Sequence, residues 1–161
     1  MENIELFRRA NTFSKPEIAA FKKILMDAGQ VKEEAFEGLI EKNPKILFIG
    51  NTENPTGIGA LKVPHKSYKD GVFKKAYSDK NPNDYDFELG WVVNLSIGNG
   101  NKIVAALAGT KDKKVYATVR EDNIPIITLL KKYGFEQNGE PYLSGRGDYK
   151  VLLFIKAIDG H

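Results

Sequence analysis

The residues best placed to do chemistry fall in one stretch, Asp86-Phe-Glu-Leu-Gly-Trp-Val-Val-Asn-Leu-Ser-Ile-Gly-Asn-Gly-Asn-Lys-Ile-Val-Ala-Ala-Leu107. Gly98-Asn-Gly-Asn101 reads as a tight loop of residues that tolerate positive φ and let a ligand approach the backbone. Before it runs an apolar segment, Phe87 to Leu95, in which Glu88 is the only charge. After it a helical pattern begins at Lys102. Strand, glycine-rich turn and the N–H groups of a helix start together form a common seat for a phosphate. The same residues also suit an ordinary strand-to-helix turn, since any such turn can carry Gly and Asn. Both readings stand at this point.

The elements around that stretch follow from spacing. Ile4-Glu-Leu-Phe-Arg8 alternates like a short strand. Ser14-Lys-Pro-Glu17 carries the cap, early proline and third-position glutamate of a helix start. Ile18, Phe21, Ile24, Leu25 and Ala28 form its apolar face, and Gly29 closes it. A second helix runs from about Val31, with Ala35, Phe36, Leu39 and Ile40 on one face, to Asn43-Pro44. Lys45–Asn51 and Gly57–Val63 read as a hairpin; the Gly57/Gly59 pair lies in a strand with no helix after it, which argues against a phosphate loop there. Between 64 and 84, Ser67 and Asp70 resemble a capping box, and Tyr68, Val72, Phe73, Ala76 and Tyr77 share a helical face. This segment suits either a lid over a substrate pocket or a surface helix with solvated lysines.

Phe87–Leu95 is apolar enough for a central strand buried on both faces. Beyond the turn at Lys111-Asp-Lys-Lys114, Val115–Val119 is another buried strand, and Asp122-Asn-Ile-Pro125 offers a helix cap. Ile126, Ile127, Leu129, Leu130 and Tyr133 supply that helix's apolar face before Gly134 ends it. A strand from Phe135 bends at Gly139-Glu-Pro141, and Asp148–Lys156 is a final strand. Ser144–Asp148 is a turn, and its Arg-Gly-Asp is most simply three turn residues. The order β-α-α-β-β-(α)-β-α-β-α-β-β predicts an α/β (α+β) fold, a mixed central sheet with helices on both faces.

At 161 residues the chain is expected to be a single domain, 1–161, with a core that needs no staples. It has no cysteine, so disulfide and thiolate chemistry are excluded. Only two histidines are present, and no Asp/Glu/His cluster has ligand spacing, so no metal is expected. The N-terminus MENIELFRRANTFS lacks a leader pattern, and no run approaches the roughly 18 apolar residues of a membrane helix. A cytoplasmic protein without a membrane partner is the expectation. The net charge of +3 is spread along the chain. With no basic–aromatic interleaving, a nucleic-acid partner is not expected.

That order, with Asn123-Ile-Pro-Ile-Ile-Thr-Leu-Leu-Lys-Lys-Tyr-Gly-Phe135 near its end, resembles the GNAT superfamily of CoA-dependent N-acyltransferases, small bacterial members in particular. The resemblance extends through Tyr142–Tyr149 and is best from Glu88 to Lys156. It implies a GNAT-like acyl-CoA N-acyltransferase fold and acetyl-CoA as co-substrate. Glu88–Asn94 matches the family's central strand. Asn99-x-x-Lys102-x-Val104 falls on its acyl-CoA loop, usually Gln/Arg-x-x-Gly-x-Gly/Ala, and departs from it at all three positions. On this resemblance the cofactor-binding residues are Val92, Val93, Asn94, Gly98, Asn99, Gly100, Asn101, Lys102, Ile103 and Asn123. The acceptor pocket would come from the first two helices, segment 64–84 and the Tyr142–Tyr149 turn.

The implied reaction is acyl transfer from a thioester to an amine, by direct attack in a ternary complex. An amine of pKa about 10.4 is neutral in only about one molecule in a thousand at neutral pH. A general base, or a water relay to one, therefore helps. Glu88 stands where some family members carry that catalytic base; it also suits a strand-end carboxylate in a local ion pair. Backbone N–H groups around Val92 to Asn94 would meet the oxyanion. The tyrosine that many members use to protonate the thiolate is replaced by Leu130, and Tyr133 is expected to pack in the core. The partner is a small-molecule or peptide amine acceptor, and a homodimer is compatible. The departures also suit an alternative: a degenerate GNAT domain that binds CoA or a protein partner without turnover.

Overall fold

A computed structural model describes residues 6–110 and 114–156. Its elements are β1 (Phe7–Arg9), α1 (Lys15–Asp27), α2 (Glu33–Ile40), β2 (Lys45–Ile49), β3 (Gly57–Lys62), α3 (Lys66–Lys75), β4 (Phe87–Asn94), α4 (Asn99–Ala108), β5 (Val115–Arg120), α5 (Ile124–Lys132), β6 (Phe135–Leu143) and β7 (Lys150–Lys156). This is the predicted order. Ile4 and Glu5 of the first expected strand, and residues 111–113 of the expected turn, lie outside the described residues. The chain divides into two compact units. One comprises Met1–Val63 with Gly90–Leu107, the other Pro64–Leu89 with Ala108–His161, each as far as described.

In the first unit the strand order is β1-β2-β3-β4. β2 pairs antiparallel with β1 and with β3, the latter from Lys45↔Leu61 to Ile49↔Gly57. Helix α1 starts where the sequence predicts. The Ser14 side chain accepts from Glu17 N–H, and the Glu17 carboxylate accepts from Ser14 N–H at 2.8 Å. Helix α2 has no side-chain cap; its Glu33 and Glu37 both bond Lys22 of α1, each at 2.8 Å. The core is aromatic. Phe21 lies edge-on to Phe48 and to Trp91, and Phe36 stacks on Trp91 with ring centres 5.5 Å apart. Trp91 has φ of +54°, a left-handed conformation inside a strand. Such a backbone costs on the order of 1–3 kcal/mol. Aromatic pairs return about 0.5–1.5 kcal/mol each beyond area burial, enough to offset it. The Gly57/Gly59 pair has a packing role. A Cβ on either would stand 2.8 Å from the Ile103 side chain, so bare backbone lets α4 lie on β3.

In the second unit the order is β4-β5-β7-β6. β4 pairs parallel with β5 at Phe87↔Val115 and Glu88↔Tyr116. β7 is antiparallel to β5 and β6, and its register with β6 shifts between Asn138 and Tyr142, where Gly139 has φ of +72°. Helix α3 corrects two expectations. Its N-cap is His65, with no side-chain cap bond, so Ser67 lies within the first turn, where it is not the cap. Asp70 instead bonds Lys66 one turn back, at 2.6 Å. Tyr77 stands past the helix end with φ of +52°, exposed, and leaves the apolar face to Val72, Phe73 and Ala76. These three pack with Tyr85, Tyr116, Leu153 and Ile155. The Ala76 carbonyl accepts from Glu140 N–H at 2.7 Å, tying α3 to the bend in β6.

That tie makes Gly139 irreplaceable: a Cβ there would overlap the Ala76 carbonyl oxygen in addition to straining a positive φ. Gly29 also has positive φ but open space around it. Gly29→Ala should cost about 1 kcal/mol, and Gly139→Ala at least about 2 kcal/mol. Denaturant unfolding of the two variants checks the difference, and equal losses would refute the backbone contact.

Candidate functional site

The strand-to-helix turn after β4 is tighter than its sequence suggests. Helix α4 begins at Asn99, three residues before Lys102, so Asn99, Gly100 and Asn101 form its first turn. Two bonds bring the start forward: Asn94 Oδ1 accepts from Ser96 N–H and Ser96 O from Asn99 N–H, both at 3.2 Å. Only Gly98 keeps the left-handed backbone expected of the loop, with φ of +87°. Asn99 is 6% exposed. Its carboxamide donates to Thr56 O at 2.9 Å, the same oxygen that accepts from Leu95 N–H. The helix start is thereby clamped to the residue preceding β3.

The residues named from the sequence thus divide. Val93 is buried with the aromatic core, and Ile103 is fully buried against Gly57 and Gly59. With Asn99 these hold the turn from beneath. Val92 and Gly100 are half-buried, and the Val92 carbonyl accepts from Gln30 Nε2 at 3.3 Å. Asn94, Gly98, Asn101 and Lys102 are exposed. The outward face carries Asn101 and the Lys102 ammonium at the start of a ten-residue helix, the end whose dipole favours anions. Val104 is fully buried in the core and does not crowd that face.

Asn123 has a structural task. It is the N-cap of α5, and its side-chain oxygen accepts from Ile126 N–H at 3.4 Å. Leu130 is fully buried. Tyr133 is half-buried at the end of α5, with Lys132 over its ring, rather than in the core.

Glu88 lies in the second unit and is 4% exposed. Among the described residues, it and Asn99 are the buried polar side chains. Glu88 Oε2 accepts from Tyr68 OH of α3 and from Thr118 Oγ1 of β5, each at 3.3 Å. Tyr116 is its register partner on β5, so the two side chains leave the same face of adjacent parallel strands. Burial, and then the Glu88 charge, push the Tyr68 and Tyr116 phenols far above their ordinary value. The same causes push Tyr142 of β6 up to about 12. Sequence reasoning singled out Glu88, and placed Tyr68 and Tyr142 in segments of the acceptor pocket without linking either to it; Tyr116 it took only as part of a buried strand. Tyr68, Tyr116 and Tyr142 lie on three elements, and only their convergence gives them a meaning.

The first unit also holds a surface cavity of about 570 Å³, lined by Phe13, Ile18, Lys22, Phe36, Glu37 and Ile40 among others. No residue of β4 or α4 lines it, so it is separate from the turn. Among the described residues no group of three His, Asp or Glu could hold a metal, and no helix is long and apolar enough to cross a membrane.

The tyrosines yield a titration prediction. Burial also raises Tyr85, so four of the seven tyrosines bind their protons more tightly folded than unfolded. Stability from this source is complete below the unfolded phenol value of about 10 and is lost as pH rises through the folded values. Ultraviolet titration of the folded protein should therefore show less phenolate at pH ~10.5 than the same chain in denaturant. Thermal stability should fall above pH ~10. Superimposable folded and denatured titrations would refute the cluster.

No protein-family model matches the chain, and no curated protein matches it. Solved structures do. NAA60 of Arabidopsis thaliana, in complex with a bisubstrate analogue, is similar at a TM-score of 0.59 and 15% identity, over 89% of this chain and 95% of that one. A protein of Bacillus anthracis described as a streptothricin acetyltransferase, in complex with acetyl coenzyme A, matches at a TM-score of 0.47 and 17% identity. That match covers 73% of this chain and 64% of the other. A GnaT-family acetyltransferase of Bordetella pertussis matches at 0.45 and 16%, over 70% of this chain and 65% of its own. The chain thus spans less than two thirds of the latter two proteins. The element order expected from the sequence and the likeness to NAA60 agree: the chain has the GNAT acetyltransferase fold.

Proposed function

We propose that the chain is one acyltransferase domain that moves an acetyl group from acetyl-CoA to an amine. The observation that carries this reading is the buried, hydroxyl-bound carboxylate of Glu88 on the strand that leads into the clamped start of α4. The first-turn amides of α4, with Gly98, Gly100 and Lys102, receive the pyrophosphate. Backbone N–H groups of Val92 to Asn94 meet the developing oxyanion. The acceptor arrives as an ammonium and gives one proton to Glu88. Its lone pair then forms the N–C bond at the thioester carbonyl, whose π electrons move to oxygen. Collapse of the tetrahedral species breaks the C–S bond, and the remaining surplus proton leaves nitrogen for the thiolate, giving amide and free thiol. Holding both substrates side by side supplies much of the acceleration. The likeness to NAA60, solved with a bisubstrate analogue, supports an amine or peptide acceptor.

Leu130, fully buried where the resemblance places a proton-donating tyrosine, favours a second reading: a domain that binds CoA without turnover.

Thermal unfolding separates these. At acetyl-CoA a hundredfold above its Kd, stability should rise by about 2.7 kcal/mol, roughly 5–10 °C for a chain of this size. No shift at millimolar ligand sinks both readings. A shift without thiol release across an amine panel leaves the second. Glu88→Gln can still accept from Tyr68 and Thr118, so it should fold, lower kcat/KM at least tenfold and flatten the acid limb of its pH profile. Unchanged kinetics would remove Glu88 from the mechanism.

A further inference from the structure

Tyr116 carries a hydroxyl that its packing does not explain. The side chain is fully buried, edge-on to Phe73 and surrounded by Val72, Ala76, Leu153 and Ile155. A phenylalanine would fill that space equally well. Yet the ring ends in a hydroxyl that is shielded from solvent and has no hydrogen-bond partner among the described residues. An orphaned buried hydroxyl costs about 1–3 kcal/mol. Such a group calls for a partner from outside the chain.

The surroundings say what that partner is. Glu88 is the register neighbour of Tyr116 on the same face of the sheet, and Tyr68 and Thr118 both point hydroxyls at the Glu88 carboxylate. Tyr142 packs against the same cluster from β6. The titratable groups that face Tyr116 are thus Glu88 from β4, Tyr68 from α3 and Tyr142 from β6, with Tyr85 in the same buried cluster. The Glu88 carboxylate is the group on which the neighbouring hydroxyls converge as donors. A phenol donor beside a carboxylate acceptor is bridged by a molecule that both accepts and donates. An ammonium cannot accept; water can, and it is held when two to four polar groups converge on it.

We propose that Tyr116 is a positioning residue: its hydroxyl donates to a buried water that donates in turn to Glu88, and this water carries the acceptor's proton to the carboxylate. The water takes one proton from the ammonium and gives one of its own to Glu88, so it is regenerated. This inference rests on the acyl-transfer reading.

Tyr116→Phe tests it. If the hydroxyl holds a water, removing it should leave Tm unchanged or slightly lower, and a high-resolution crystal structure of the wild type should show density bridging Tyr116 and Glu88 that the variant lacks. With an amine that the wild type acetylates, kcat/KM should fall at least tenfold and the acid limb of the pH profile should move, while KM for acetyl-CoA stays the same. A variant several degrees more stable, without bridging density in the wild type, would show the hydroxyl to be truly orphaned and overturn the proposal. An unchanged pH profile in an active wild-type/variant pair overturns the relay alone. A wild type that releases no thiol with any amine sinks the acyl-transfer reading, and the relay with it.

Discussion

The second unit is built around a cost that had to be met, the burial of the Glu88 carboxylate. Removing an ionised carboxylate from water costs several kcal/mol unless donors replace the lost hydration. Here the replacements are hydroxyls, Tyr68 from α3 and Thr118 from β5. A hydroxyl donor replaces lost hydration without cancelling the charge. The requirement propagates outward. Tyr68 reaches Glu88 only if α3 is held in place, and α3 has no side-chain cap to hold it. It is fixed by Phe73 against Tyr85 and Tyr116, by Lys69 donating to the Tyr85 carbonyl at 2.8 Å, and by the Ala76–Glu140 bond to β6. The packing of this unit positions one donor.

The first unit answers a different constraint: the start of α4 faces outward at Asn101 and Lys102 while the rest of that helix packs down. Ile103, Val104 and Leu107 are fully buried in the core. The glycines of β3 let Ile103 settle against bare backbone. The other end is pinned by Thr56, whose carbonyl takes hydrogen bonds from both Leu95 and Asn99. A helix held from below at both ends can leave its first turn open at little cost in order. The left-handed Trp91 belongs to the same construction: its ring joins Phe21 and Phe36 in the aromatic core while its neighbours Gly90 and Val92 are only half-buried.

Much of this was legible in the sequence because it is local. The order of elements follows from periodicity and punctuation, and the Ser14/Glu17 capping box is written in four consecutive residues. Glu88 was identifiable as the one charge in an apolar strand. What escaped depends on non-local contacts. Nothing near Ser67 reveals that α3 begins at Lys66, because that start is set by packing rather than by a cap. Helix α4 was expected to start at Lys102 because Gly and Asn are poor helix formers. The Thr56 clamp, forty-three residues away in sequence, overrides that preference. Tyr116 had no signal at all: a buried Tyr in a strand looks the same whether its hydroxyl is idle or employed.

The departures from the family's loop pattern acquire a physical reading from this clamp. Where that pattern has Gln or Arg, this chain has Asn99, whose short carboxamide turns inward to Thr56. Where it ends in Gly or Ala, this chain has Val104, on the core side of the helix and away from the exposed first turn. Two of the three substitutions thus fall on positions that anchor α4 rather than on its outward surface. The third, Lys102 in place of Gly, is outward, and adds a positive charge at the helix end whose dipole already attracts anions. Because amides bind phosphate through backbone that every residue shares, side chains at the turn are free to diverge as long as the helix start is held. By that argument the proposed anion seat depends less on matching the loop motif than on the Asn99–Thr56 bond beneath it.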